Sequence, residues 1–329
     1  MIRRLIDLFD EREPPHALAA VRILVALVTL FDLSVIALSD LPPWLWAPLA
    51  EGGSSPAADP EGGPLVYRAI WGLGLGAYGL WAILFLSLLC FGAGLFTRTA
   101  GFVFVFTYAA TAAINDPADR GIDRAIRIMI LILSFSAAGK VWSLDALRKT
   151  GNFRGDGAAE NAWPRYLVFA QLVLTYAAAG LAKGSPLWLP WGGYVALYVI
   201  LRDPVYANAD YSFLAEPFPF FLTQCATAFT HAWEVCAPLL LLAAYFRRTA
   251  ERPGRVRALF NRIRFREVYV AFGVIFHLSL AFTMRLGIFP FAMLSFYPAL
   301  FRPDEVRGFV DRAGAFVTKK LRRRSLGAA

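Results

Sequence analysis

A lysine that closes a long apolar run can do one of two things. Lys183 ends the stretch Tyr176-Ala177-Ala178-Ala179-Gly180-Leu181-Ala182-Lys183, directly after the apolar run 167–182. At a membrane surface its ammonium is an anchor. In a protein-walled cavity burial favours the neutral amine, which is a base. Gly184, Ser185, Pro186 and Pro190 follow and end the helix, so Lys183 also stands at a helix C-terminus, where a cation is favoured. Seven further ionisable residues fall within apolar runs: Arg22, Asp32, Arg127, His231, Glu234, His277 and Arg285. A charge at membrane depth costs ~3 kcal/mol or more, so such groups face the bundle interior and find partners.

His231 and Glu234 are three residues apart and share a helix face. A hydrogen-bonded His–Glu pair there, with His277 nearby, can relay protons or orient a substrate. The spacing is not HExxH, and no metal is expected. Asp123 and Arg127 stand at i,i+4 with the acid first, so they are expected to meet on one face. Arg22 and Asp32 lie ten residues apart, about 15 Å along a helix. Each therefore needs a partner on another segment, and with Arg285 they read as structural charges. The expected site is a cavity open to the non-cytoplasmic side. Its walls are Lys183, His231, Glu234 and His277 as chemical groups, with Gln171 and Tyr176 beside them and Arg127 and Asp123 as further substrate contacts.

The elements that must position these groups are membrane helices. The chain has 329 residues, is 58% hydrophobic and only 17% charged, with a mean hydropathy of +0.52. Soluble domains carry about 25% charged residues. Several runs approach the ~20 residues a span requires. Apolar length, with breaks at charge, Gly and Pro, predicts an all-α transmembrane bundle of about eight spans: 18–38, 72–95, 100–114, 125–138, 166–182, 220–246, 268–284 and 288–301. The piece 194–201 is too short to span and reads as interfacial or re-entrant. The domain limits are 1–16 for an N-terminal segment, 17–301 for the transmembrane domain and 302–329 for a basic tail. The first apolar run has no cleavage pattern after it and reads as an uncleaved span.

The net charge of +9 is concentrated in particular loops, so topology explains it and nucleic acid is not expected as a partner. Arg3, Arg4 and Arg12 precede span one. Lys140, Arg148, Lys149, Arg154 and Arg165 follow span four. Eight arginines occupy 247–266, and Arg302 to Arg324 the tail. The opposite loops hold Glu51, Asp59, Glu61, Asp116, Asp119, Asp203, Asp210 and Glu216. The positive-inside rule then places both termini in the cytoplasm of a multi-pass cell-membrane protein. The segment 247–266 reads as an amphipathic surface helix on anionic lipid. Cys90, Cys225 and Cys236 have no CxxC spacing and read as small buried hydrophobes.

In order along the chain, Ala20-Val21-Arg22-Ile23 with Phe31-Asp32-Leu33, Gly94-Leu95-Phe96-Thr97-Arg98, Gly121-Ile122-Asp123 with Arg127, and Trp142-Ser143-Leu144-Asp145 resemble the HTTM family. Tyr176 to Lys183 with Trp188, His277 with Thr283-Met284-Arg285, and Ser295-Phe296-Tyr297-Pro298 continue the likeness. That membrane domain is shared with vitamin K-dependent gamma-carboxylases. The resemblance implies a lysine base that deprotonates a quinol, and Lys183 falls at the second of two lysine positions, with Ala182 at the first. Near Asp123 the carboxylases carry a histidine, and they have a large lumenal domain; neither is present here, so glutamate carboxylation is not expected. A quinol-like molecule or other lipid-soluble substrate is the ligand class implied. The alternative drawn from the same family is a non-enzymatic membrane partner in the maturation or export of a secreted peptide.

Overall fold

A computed structural model of the protein describes residues 10–326. Arg3 and Arg4 lie outside the described residues, as do the side chains of Lys319, Lys320, Arg322, Arg323 and Arg324. In chain order the helices are α1 (His16–Leu38), α2 (Leu41–Trp46), α3 (Leu65–Gly72), α4 (Gly76–Ala93), α5 (Thr97–Ile114), α6 (Gly121–Ser134), α7 (Leu144–Thr150) and α8 (Trp163–Ala182). They continue as α9 (Ala196–Arg202), α10 (Pro217–Val235), α11 (Leu239–Arg248), α12 (Arg255–Arg262), α13 (Phe265–Thr283), α14 (Phe289–Ser295) and α15 (Pro303–Leu326). Among the described residues the sheet content is one antiparallel pair, β1 (Arg12–Glu13) with β2 (Glu160–Asn161), in the register Arg12↔Asn161.

Among the described residues four helices, α1, α4, α8 and α13, are long and apolar enough to cross a bilayer. The pair α10 and α11 makes a fifth candidate, bent by 56° between its halves. The bend falls at Cys236-Ala237-Pro238, where the proline nitrogen has no hydrogen to donate. The helices α5, α6 and α14 occupy the expected spans three, four and eight, and none combines the required length with the required apolarity. In α5, Arg98 and four threonines dilute the apolar run. The 14 residues of α6 extend about 21 Å, short of a ~30 Å hydrocarbon layer. The helix α14 gives way to a 3-10 turn at Tyr297–Leu300, which holds Pro298. The apolar piece at 194–201 is the seven-residue helix α9.

The chain forms two compact units. One runs to Val168 and resumes at Ser295; the other is Phe169–Leu294. In the first, Leu80, Leu84, Leu88 and Phe91 make a fully buried stripe along α4, at the three- and four-residue spacing of one helix face. It packs on α1 and α5, and α5 packs on α6. Gly92 permits the approach to α1, because a Cβ there would stand 2.7 Å from the Ala26 Cβ. The other faces of these helices present Leu27, Phe31, Leu38 and Leu86 outward. Exposed apolar surface on this scale is compatible with hydrocarbon as the solvent.

The second unit is organised by aromatic rings. Trp233 of α10 lies 4.6 Å from Tyr176 of α8 and 4.8 Å from Tyr269 of α13, centroid to centroid. Its indole N–H donates to the Tyr269 carbonyl at 3.2 Å, so the buried ring keeps its one polar group satisfied.

Candidate functional site

Lys183 follows the last residue of α8, and its backbone N–H donates to the Gly180 carbonyl at 3.2 Å. Its side chain turns to α10, where Nζ lies 2.5 Å from Glu234 Oε2. Nζ also donates to the Ala179 carbonyl at 3.3 Å and stands 5.1 Å above the centre of the Trp188 ring. Trp188 belongs to the 3-10 turn Pro186–Trp188 that breaks the chain away from α8. The Glu234 side chain is 7% exposed and that of Lys183 21%. The carboxylate is therefore enclosed, and the amine is the side from which the pair is reached. Glu234 is the next-to-last residue of α10, directly before the bend into α11.

The two helices meet here because position 180 has no side chain. A Cβ on Gly180 would come within 2.8 Å of the Val235 nitrogen and 3.0 Å of the Glu234 Cβ. The neighbouring Trp233 carries the pair into the aromatic cluster. There Tyr176 and His277 are 3.3 Å apart, hydroxyl to Nε2, and His277 is wholly buried. His277 Nδ1 lies 2.7 Å from the Gly273 carbonyl. A carbonyl only accepts, so Nδ1 carries the hydrogen and Nε2 is left to accept from the tyrosine hydroxyl.

Four of the six expected cavity residues thus fall into two joined groups, Lys183 with Glu234 and Tyr176 with His277. His231 is half-buried, and the expected His231–Glu234 hydrogen bond is replaced by the one from Lys183. Spacing along one helix was the only ground for that pair, and the lysine reaches the same carboxylate from another helix. Gln171 is half-buried, with its main-chain carbonyl accepting from the Thr175 hydroxyl at 2.8 Å. Hollows of about 500 and 310 Å³ lie elsewhere in this unit, and none of the six residues lines either one. The larger is walled by Arg202, Asn208, Tyr211 and Arg285 among others. Arg285 is exposed there and forms no ion pair among the described residues, contrary to its reading as a structural charge. Among the described residues no three His, Cys, Asp or Glu side chains converge as metal ligands do.

Asp123 and Arg127 belong to the first unit, and they do not pair with each other. Arg120, at the N-cap of α6, bridges Asp123 at 2.9 Å and Asp32 of α1 at 2.5 Å. Asp123 also accepts from the Tyr108 hydroxyl at 2.7 Å. Arg127 bonds Asp119 at 2.6 Å, and Arg124 reaches the same carboxylate at 3.0 Å. Burial works to raise the Asp119 carboxyl, but the hydrogen bonds from Arg127 and Arg124 outweigh it and hold the group below the usual carboxylate range. Arg22, fully buried, donates to the carbonyls of Ala138 at 2.7 Å and Trp142 at 2.5 Å. It holds the irregular turn after α6 onto α1. Arg22 and Asp32 each take partners outside their own helix, as their spacing requires. All three cysteines are free; Cys90 and Cys225 are half-buried and Cys236 is exposed, so none is a core residue.

Sequence reasoning missed Trp233, Tyr269, Gly180, Arg120 and Asp119. The charge density of Asp116-Pro117-Ala118-Asp119-Arg120 ahead of an apolar helix is a signal for the last two. Gly180 within an alanine run is the signal for a close helix approach.

Fold and site together define an all-helical protein with helices of membrane-crossing length and a Lys–Glu pair whose carboxylate is enclosed. No protein-family model, no curated protein and no solved structure matches the chain.

Proposed function

We propose that this chain is a multi-pass integral membrane protein of HTTM type. In this reading it has about eight spans, with α5, α6 and α14 completing the set, and both termini in the cytoplasm. Lys183 is its base, acting on a lipid-soluble, quinol-like substrate. The observation that carries the reading is the 2.5 Å contact between Lys183 Nζ and a Glu234 carboxylate that is 7% exposed. In water an ammonium–carboxylate pair is far more stable than its neutral counterpart. Desolvation narrows that gap. Glu234 then takes a proton from Lys183, and the freed amine takes the proton of a substrate hydroxyl. The products are a substrate anion, the ammonium beside it and a protonated Glu234. Tyr176 and His277 are buried against Trp233, the residue before Glu234, and hold the end of α10 that carries the carboxylate in place.

The test uses purified protein and an added naphthoquinol under anaerobic conditions, with formation of the quinol anion followed by absorbance. Lys183→Arg keeps a cation for Glu234 but cannot give up its proton. The wild type is expected to form the anion and the folded Lys183→Arg variant to form none. Anion formation at the wild-type level in that variant would overturn the base assignment. A second reading, a non-enzymatic partner of a secreted peptide, draws support from exposed aromatic loop residues, Trp44, Trp191 and Phe213. It calls for a co-purifying protein lost on substituting these residues and retained in Lys183→Arg.

A further inference from the structure

Between the bent pair α10–α11 and the helix α13 the chain forms α12, an eight-residue helix that follows α11 by six residues and precedes α13 by two. One side of it is held to its neighbours. The Phe260 ring lies 5.4 Å from Phe246 and 5.0 Å from Phe265, and Asn261 Nδ2 donates to the Phe246 carbonyl at 3.2 Å. Arg257 folds back, donating to the carbonyls of Arg252 and Pro253 at 2.9 and 2.8 Å.

Another side is left uncovered by the described residues. Val256, Leu259 and Ile263, at i, i+3 and i+7, are 57%, 54% and 45% exposed, and that spacing sets them on one stripe. Residues 247–266 contain eight arginines and one glutamate, Glu251. Three of these arginines, Arg252, Arg255 and Arg262, are exposed and have no acidic partner among the described residues. An apolar stripe bordered by guanidiniums, on a helix tied at both ends to candidate spans, has the chemistry of the boundary between acyl chains and phosphates.

We propose that α12 docks on an anionic phospholipid surface. Val256, Leu259 and Ile263 enter the acyl boundary while Arg252, Arg255 and Arg262 bond headgroup phosphates. Zwitterionic lipid offers the stripe the same hydrocarbon but gives the arginines no net charge to answer. Each arginine near an anionic surface is worth about fivefold in affinity. The inference rests on the membrane part of the reading above and not on Lys183.

The experiment places the full chain in nanodiscs of phosphatidylcholine, with or without phosphatidylglycerol. Cys90, Cys225 and Cys236 are replaced by alanine, and a spin label is attached at Leu259→Cys or, as a reference, at Ile275→Cys. Ile275 is 67% exposed on α13 and reports insertion of the helices themselves. Accessibility to oxygen and to a water-soluble nickel complex is measured for each label. With phosphatidylglycerol the Leu259 label is expected to be open to oxygen and shielded from nickel. In phosphatidylcholine alone, or with Arg252, Arg255 and Arg262 changed to glutamate, it is expected to return to water. A Leu259 label open to nickel on anionic discs, while the Ile275 label is in hydrocarbon, overturns the docking. Equal burial in both lipids overturns the selection by charge. A label immobilised in both lipids and shielded from oxygen and nickel alike identifies a protein surface instead, and overturns the lipid assignment. A water-exposed Ile275 label removes the membrane reading on which the proposal stands.

Discussion

Gly180 and Glu234 are in contact across two helices, and the absence of a side chain at position 180 sets the distance. A methyl there would meet the Glu234 Cβ at 3.0 Å and the Val235 nitrogen, a backbone atom that cannot rotate aside, at 2.8 Å. The close approach lets Lys183, three residues on, reach the carboxylate. Gly180→Ala is therefore expected to cost about 1–3 kcal/mol by overfilling, although alanine is the better helix former by ~1 kcal/mol. Thermal unfolding of the purified protein measures it. A variant as stable as the wild type would mean that the two helices are not held this closely.

Removing one member of the Lys183–Glu234 pair leaves the other without its charge. Glu234→Gln and Lys183→Met are each expected to destabilise, toward the low end of ~3–5 kcal/mol because Lys183 retains some solvent. The double variant is expected to be less destabilised than the sum of the two. A double-mutant cycle reads this coupling directly; additive losses would show that the two groups do not interact.

Asp145 is a pH-dependent tie in the first unit. Burial works to raise its carboxyl, but the Thr97 N–H, the Thr97 hydroxyl and the Phe96 N–H donate to it at 2.9, 2.8 and 3.0 Å, and the net shift is downward. A carboxyl lowered by folding contributes its full stability above its unfolded value, about 3.9, and loses it as pH falls through the folded value. Asp145→Asn is expected to be less stable than the wild type by about 2 kcal/mol at neutral pH, with the gap closing below pH ~4. Melting curves across that range check it.

Arg120 holds Asp32 and Asp123 against each other, with those side chains 12% and 4% exposed. Arg120→Gln removes the cation between two enclosed carboxylates; because the guanidinium is itself 43% exposed, the loss is screened by solvent and is expected to be about 1–2 kcal/mol. Adding Asp32→Asn to that variant is expected to restore part of the loss, because one of the two carboxylates left facing each other is gone. Thermal unfolding of the single and double variants measures both effects.

Apolar runs fixed in sequence what later became α1, α4, α8 and α13, since a span announces itself by length alone. The same reasoning expected Lys183, Glu234, Tyr176, His277, His231 and Gln171 around one cavity; the structure pairs Lys183 with Glu234 and Tyr176 with His277, and none of the six lines the hollows described above. That reasoning could not choose partners. Asp123 lies one turn before Arg127, and helix spacing favoured that pair; in the structure Arg120 lies outside the helix and wraps back as its cap. His231 lost Glu234 in the same way, to a lysine 51 residues earlier. Periodicity reports neighbours on one helix, whereas these contacts come from how helices approach, and Gly180 encodes the approach through the side chain it lacks.

In the proposed mechanism Glu234 receives the proton that Lys183 must lose before it can act. Infrared difference spectroscopy of the purified protein, with and without a bound naphthoquinol, observes that carboxyl directly. A protonated-carboxyl band is expected on adding the quinol, present in the wild type and absent in both Glu234→Gln and Lys183→Arg. Quinol binding with no change at the carboxyl, or with the same band persisting in Glu234→Gln, would contradict it.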